Sequence, residues 1–329
     1  MKLIFSILFF LLSVLANAQP GKVYSDLDVA MKNKDSVFIL NLSEKQLREL
    51  PSVVKRFKNL EYINLSNNCF TAYPKILRKN KHLKEVNLNF NELKTVTIPR
   101  RNLKSLERIS LVKNKLKEFP TSLFSSKKIT HINLAYNKIS IIPSNIQRIQ
   151  SLKSIIFYAN KISEIPIEFY RLKQLTDMDF YFNSISTIDT SIKHLVNLER
   201  VYLSFNKIKK LPDELCELKK LKFIYVQKNQ LESLPICFKN LESLERIDIQ
   251  SNKFQYFPTE LLNLPNLQEI DICTNNISTL PKELLAMPNL NLLMLRNNRL
   301  LFEGKNKAEN NSIIKALEEK KVIVKSFEN

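Results

Sequence analysis

Side chains able to do chemistry are sparse in this sequence, and the polar and aromatic ones recur at a single spacing. Tyr158 and Tyr181, Tyr202 and Tyr225, and Asp248 and Asp271 are each separated by 23 residues. Asp177 and Asp179 fall within the same register. Carboxylates placed side by side in this way could act as acid and base, hold Ca²⁺ or meet a basic ligand. The three histidines, His82, His131 and His194, share no common face at that spacing, so a His-based metal site or nucleophilic triad lacks its geometry. Glycine occurs only at Gly21 and Gly304, outside any Gly-rich run. Phosphate-cradling loops need several glycines for positive φ and close backbone approach, which removes P-loop and dinucleotide-binding classes. The chain is therefore read as non-enzymatic, with no catalytic residues, no metal and no cofactor.

The spacing belongs to the elements that must carry these residues. Leu60, Leu83, Leu106, Ile129, Leu152, Leu175, Leu198, Leu221, Leu244, Leu267 and Leu290 follow one another every 23 residues, and Val37 extends the series upstream. Counting each of these as position 1, apolar residues return at positions 4, 6 and 11, as in Val201, Leu203 and Ile208. Position 9 is Asn in eleven of twelve units, from Asn68 to Asn298, with Lys45 in the first. Nine units place an apolar residue and Pro at positions 14 and 15, such as Leu211-Pro212; units three and seven carry Thr97 and Asp189 there instead. The pattern L-x-x-L-x-L-x-x-N-x-L resembles the leucine-rich-repeat family over residues 37 to about 312. The 23-residue form with Leu-Pro looks like repeats common in bacterial and cytoplasmic-scaffold members. The resemblance implies an α/β solenoid, a leucine-rich-repeat horseshoe. Twelve short parallel strands would line its concave face, with 3₁₀ or helical turns on the convex face.

Physical patterning agrees. Apolar positions 4 and 6 alternate with mostly polar or aromatic 3, 5 and 7, which describes a short strand with one buried face. Asn at position 9 follows that strand, where its amide can satisfy backbone groups of its own coil and the next, so stacked Asn form a ladder. Pro at position 15 fixes φ and starts the return. One coil alone cannot cover both of its flanks, so stability must come from stacking, and both ends need closing. Residues 19–36 are expected to form an N-terminal helical cap, with Ser25-Asp26-Leu27-Asp28 as the helix start. Residues 313–329 are expected to form a C-terminal cap, drawn from a candidate helix over Asn311–Lys320 and the run Val322-Ile323-Val324.

Facing outward or toward the rim at positions 3, 5, 7 and 8, coils five to nine present Tyr136, Tyr158, Tyr181, Phe182, Tyr202, Phe205, Phe223 and Tyr225, with Ile156 at position 5. An exposed aromatic cluster marks a contact site, and Tyr is an efficient anchor. Tyr158, Tyr181, Tyr202, Phe223 and Tyr225, together with Asp179, Asp248 and Asp271, are the candidate ligand-binding residues. Tyr136, Phe182 and Phe205, just before the ladder Asn, could equally pack along the ridge, as is common in the family. Lys115, Lys138, Lys161, Lys207, Lys253 and Arg299 form a basic row at position 10, which reads as an ordinary solvated choice or as a groove edge for a polyanion.

Met1-Lys2, an apolar run from Leu3 to Leu15, and Ala16-Asn17-Ala18 read as an export signal over residues 1–18, cleaved after Ala18, which places the protein in a secreted or periplasmic location. No later apolar run is long enough for a membrane-spanning helix. Net charge is +19, or +18 once Lys2 is removed. Export permits disulfides. Cys216 and Cys237 lie at positions 19 and 17 of adjacent coils and could be bridged if their Cα atoms come within ~7 Å, whereas Cys69 and Cys273 are too far apart to pair. The expected partner is a protein recognised on the concave face, as in adhesion or a host or cell-surface interaction. The alternative is carbohydrate or a polyanion such as an acidic glycan; no specific nucleic acid is expected.

Overall fold

In the computed structural model, residues 21–301 and 306–326 are described, so the expected signal over residues 1–18 lies outside them. Among the described residues no helix is long and apolar enough to cross a membrane. The described residues wind into a single sheet of 14 parallel strands in sequence order, β1 to β14. Strands β2 (Ile39–Asn41) to β13 (Leu292–Met294) each cover positions 3 to 5 of one repeat. They include β6 (His131–Asn133), β7 (Ser154–Ile156), β8 (Asp177–Asp179), β9 (Arg200–Tyr202), β10 (Phe223–Tyr225), β11 (Arg246–Asp248) and β12 (Glu269–Asp271). Register is set by the repeat: Tyr202 lies opposite Tyr225, and Asp248 opposite Asp271.

Two strands exceed the twelve expected, one from each end. β1 (Val23–Tyr24) pairs with β2, and β14 (Ile323–Lys325) pairs with β13. Between β1 and β2 stands helix α1 (Leu27–Lys32), whose N-cap is Asp26 rather than Ser25; its carboxylate accepts from the Asp28 and Val29 amides at 2.8 and 2.9 Å. Helix α2 (Lys307–Glu319) covers the other end with Ile313, Ile314 and Leu317. Its buried Asn310 accepts from the Leu280 amide and donates to the carbonyls of Ser278 and Leu300.

The return segments are 3₁₀ turns. Most start directly after Pro at position 15, whose φ is preset and whose carbonyl accepts from the residue three further on, as Pro212 does from Leu215 at 3.1 Å. Coil seven keeps the same turn, Thr190–His194, because Asp189 replaces Pro by capping the Ser191 amide. Coil three departs: with Thr97 at that point its turn is delayed to Asn102–Lys104. Cys216 and Cys237 are bridged across adjacent turns, with Cα atoms 5.8 Å apart. Between sheet and turns runs one continuous core of Leu, Ile and Val, widened by Phe157, Phe169 and Phe180 in the middle.

The Asn ladder closes each coil onto its predecessor. Asn160 donates to the carbonyls of Leu134, Phe157 and Tyr158 and accepts from the Ile139 amide at 3.0 Å. Position 8, just before it, adopts left-handed φ in coils two to twelve, between 52° and 56°, although no glycine stands there. Packing by both neighbouring coils holds a conformation that ordinarily costs about 1 kcal/mol or more for a non-glycine residue.

Candidate binding surface

The alternation of each strand sends positions 4 and 6 into the core and 3, 5 and 7 to the concave face, while the left-handed residue at position 8 projects onto the rim. Because strands pair without offset, equivalent positions form rows along the solenoid. Two aromatic rows result. In the first, Tyr136 meets Tyr158 edge-on at 4.7 Å between ring centroids, with their hydroxyls hydrogen-bonded at 2.8 Å. Tyr158 then contacts Tyr181 at 4.9 Å, Tyr181 contacts Phe205 at 4.9 Å, and Phe205 contacts Phe182 at 5.8 Å. In the second, the Tyr202 and Tyr225 rings stack face to face at 4.9 Å, only 2° from parallel.

Position 3 adds a feature that attention to aromatics alone missed. The row reads Asp177, Arg200, Phe223, Arg246, Glu269 on β8 to β12. Arg200 binds Asp177 at 2.8 Å and lies over the Phe223 ring at 5.7 Å; Arg246 binds Glu269 at 2.5 Å and lies over Tyr225 at 5.4 Å. Each guanidinium is thus fixed by a carboxylate on one side and a ring on the other, which locks the rings as well as the charges. Lys228 covers the Phe205 ring at 4.5 Å. The same register that located the tyrosines would have located the arginines, had position 3 been read for cations.

The carboxylates at position 5 behave differently from the rings. Asp179, Asp248 and Asp271 each accept from the amide two residues on, at Tyr181, Gln250 and Cys273. Asn41, Asn64, Asn87 and Asn133 do the same in earlier coils. Asp248 is fully buried and Asp271 is 6% exposed, so little of either carboxylate reaches the concave surface. Burial pushes the Asp179 carboxyl up to about 7, partly opposed by the Tyr181 amide. Burial likewise raises the phenols of Tyr158, Tyr181, Tyr202 and Tyr225, which keeps them neutral donors and acceptors. His131 stands half-buried on β6, bonded through Nδ1 to the Thr130 hydroxyl at 2.8 Å, and burial lowers it to about 4. Among the described residues no group of His, Cys, Asp and Glu is placed to hold a metal ion.

All five candidate aromatic residues are half-buried: Tyr158 and Tyr181 lie in the first row, which continues to Phe205, while Tyr202 and Tyr225 form the second, with Arg246 over Tyr225 and Arg200 over the neighbouring Phe223. The exposed high point of the first row is Phe182, 56% accessible at the rim.

Comparison with known proteins agrees with this architecture. Family models for leucine-rich repeats match residues 59–80 and 196–254. A search of curated protein sequences returns no match. Among solved structures, a leucine-rich-repeat protein of Leptospira interrogans is 23% identical over 92% of this chain and 99% of its own, with a TM-score of 0.59. An internalin of Listeria monocytogenes is 19% identical over 91% of this chain and 89% of its own, with a TM-score of 0.69. The Drosophila Toll receptor, in complex with Spatzle, is 24% identical with a TM-score of 0.70; the match covers 82% of this chain but only 39% of that one. Repeat pattern, coil geometry, the family models over residues 59–80 and 196–254, and the neighbouring folds agree that this chain has the leucine-rich-repeat solenoid fold.

Proposed function

We propose that this chain is an exported binding protein that recognises a protein partner through the concave surface built on Tyr158, Tyr181, Tyr202, Phe223 and Tyr225. The observation that carries the reading is the continuity of the two aromatic rows, with rings locked by one another and by Arg200 and Arg246. Rigid aromatics lose little side-chain entropy on binding, which makes such a surface an effective anchor. Export is supported by the apolar run and A-x-A site at the start of the sequence and by the Cys216–Cys237 bridge, a bond favoured outside the reducing cytosol. The Toll neighbour, solved with Spatzle bound, illustrates a solenoid of this type holding a protein.

Ring geometry favours a polypeptide over a sugar as the concave ligand. The faces of Tyr202 and Tyr225 are turned on each other, and those of Phe205, Phe223 and Tyr225 are taken by cations. These contacts reduce the ring faces open to a sugar, which binds by stacking, while the ring edges and phenol hydroxyls suit backbone amides and carbonyls. Catalysis receives no support from Asp248 and Asp271, which serve their own loops.

The test is a photo-crosslinking amino acid placed at Phe182, used to capture a partner from cell-surface protein, followed by affinity measurement with the purified partner. Tyr202→Ala with Tyr225→Ala should weaken binding about 30-fold or more, as expected for central anchors. Unchanged affinity in a double variant with normal melting would overturn the reading.

A further inference from the structure

The convex face carries a charge segregation independent of the concave rings. In coils one to five the return segments, residues 51–59, 74–82, 97–105, 120–128 and 143–151, contain thirteen Lys and Arg and no Asp or Glu. In coils six to eleven every equivalent segment contains at least one acid: Glu168, Asp189, Asp213, Glu242, Glu260 and Glu283 among them. The first-half cations are all exposed, and none of them pairs with a carboxylate among the described residues. If solvation were the only requirement, mixed charges would serve as well, as they do in the second half, and without self-repulsion.

The cations also stand in order. Lys58, Lys81, Lys104 and Lys127 occupy position 22 of four consecutive coils, one residue per coil. Beside them run Arg56, Lys79 and Arg101. The turns beneath are tied to one another by buried polar side chains. Asn80 donates to the carbonyls of Val54 and Phe57, Asn102 donates to those of Leu77 and Asn80, and the Ser126 hydroxyl donates to that of Leu103. These bonds exist where the charges are densest, so the backbone positions that carry the cations are held in a regular row, one per coil, at a spacing wider than the ~4.8 Å between strands on the concave side.

We propose that this convex face of coils one to five binds a linear acidic polysaccharide, its sulfates or carboxylates running along the solenoid axis over the Lys58–Lys127 row. A row repeating once per coil matches a polymer whose anions also repeat at short, regular intervals, and a flexible chain can follow a convex surface that a flat bilayer touches only at its crest. The aromatics of this region, Phe57, Tyr73 and Phe124, are buried, so nucleic-acid bases find no ring to stack on, and Ile141 is a single exposed apolar side chain rather than an apolar face for a membrane. Lysine supplies eight of the thirteen cations. That suits diffuse charge pairing more than bidentate phosphate recognition, for which Arg is the better fork.

A fluorescent heparin-derived oligosaccharide is the probe, titrated against the full chain at physiological salt and followed by anisotropy. The variant Lys58→Gln, Lys81→Gln, Lys104→Gln, Lys127→Gln should bind about tenfold or more weakly and show a shallower dependence on salt. Replacing the same four residues by Arg should retain binding. Removing four charges from the ladder-edge row instead, with Lys138→Gln, Lys161→Gln, Lys207→Gln and Lys253→Gln, should change affinity less than twofold. Equal losses in the two Gln variants would show a non-specific charge effect and overturn the proposal. So would tighter binding to phosphatidylserine vesicles or to single-stranded DNA of equal charge than to the oligosaccharide. The Tyr202→Ala, Tyr225→Ala variant should bind the oligosaccharide normally, which separates this site from the concave one.

Discussion

At the scale of single residues, the concave face separates side chains that hold the coil from side chains offered outward. Asp179 belongs to the first group and has a measurable signature. Its carboxyl is raised by burial from 3.8 to about 7. Between those values the folded chain keeps a proton that the unfolded chain releases, so this residue makes stability fall as pH rises from about 4 to about 7 and adds no further slope above. His131, lowered by burial from 6.5 to about 4, acts in the opposite sense, with stability falling as pH drops through that window. Asp179→Asn keeps an acceptor for the Tyr181 amide and removes the titration. Urea denaturation of both proteins from pH 4 to 8 should give a stability difference that grows in favour of Asn across the window; a difference independent of pH would mean that the carboxyl titrates normally. The register in the sequence correctly put Asp179, Asp248 and Asp271 on concave strands, yet it could not show that they bend back to the amide two residues on. That preference is local hydrogen bonding, shared with the Asn residues of the early coils and unrelated to any ligand. The left-handed position 8 was equally hidden, because packing rather than glycine enforces it and residues as different as Ala159, Phe205 and Lys228 occupy it.

At the scale of the coil, the strand, the ladder Asn and the proline-led turn were legible because each follows from one repeating residue type. Coil three shows where this stops: losing Pro at position 15 delays the turn, whereas coil seven loses the same Pro and keeps the turn through the Asp189 cap. The two substitutions look alike in a pattern count and differ in whether the new side chain can accept from an amide. The Cys216–Cys237 bridge is likewise an element-scale feature, since it staples two consecutive 3₁₀ turns across a separation of 21 residues. A loop of that size contributes about 3 kcal/mol by restricting the unfolded chain. In unreduced native protein a thiol reagent should modify half-buried Cys69 readily. Cys273 should react slowly, being buried with its thiol pushed up to about 12. Reduction should expose two further thiols and lower the melting temperature, and Cys216→Ser with Cys237→Ser should remove that sensitivity to reductant. A native protein that already titrates four thiols would show that the turns are not stapled.

At the scale of the whole molecule, the two ends do what neither strands nor ladder can do for themselves. Each inner coil is covered by two neighbours, so the first and last would otherwise leave a strand edge and a flank of core open to water. β1 with α1 closes one end and α2 with β14 the other, the latter pressing Ile313, Ile314 and Leu317 onto the last coils. Because contacts run only between neighbours, damage at an end should spread inward by degrees. Leu317→Asp places a charge at a position only 1% exposed and should cost about 3–5 kcal/mol at that interface. Hydrogen exchange under mild denaturant should then show β12 and β13 amides losing protection first, while β6 to β8 in the middle keep theirs. The concave surface over coils five to nine should bind its partner normally under those conditions, and so should the convex lysines of coils one to five bind the oligosaccharide. Uniform loss of protection from β2 to β13 would mean instead that the array opens as one block, with both surfaces dependent on a cap several coils away.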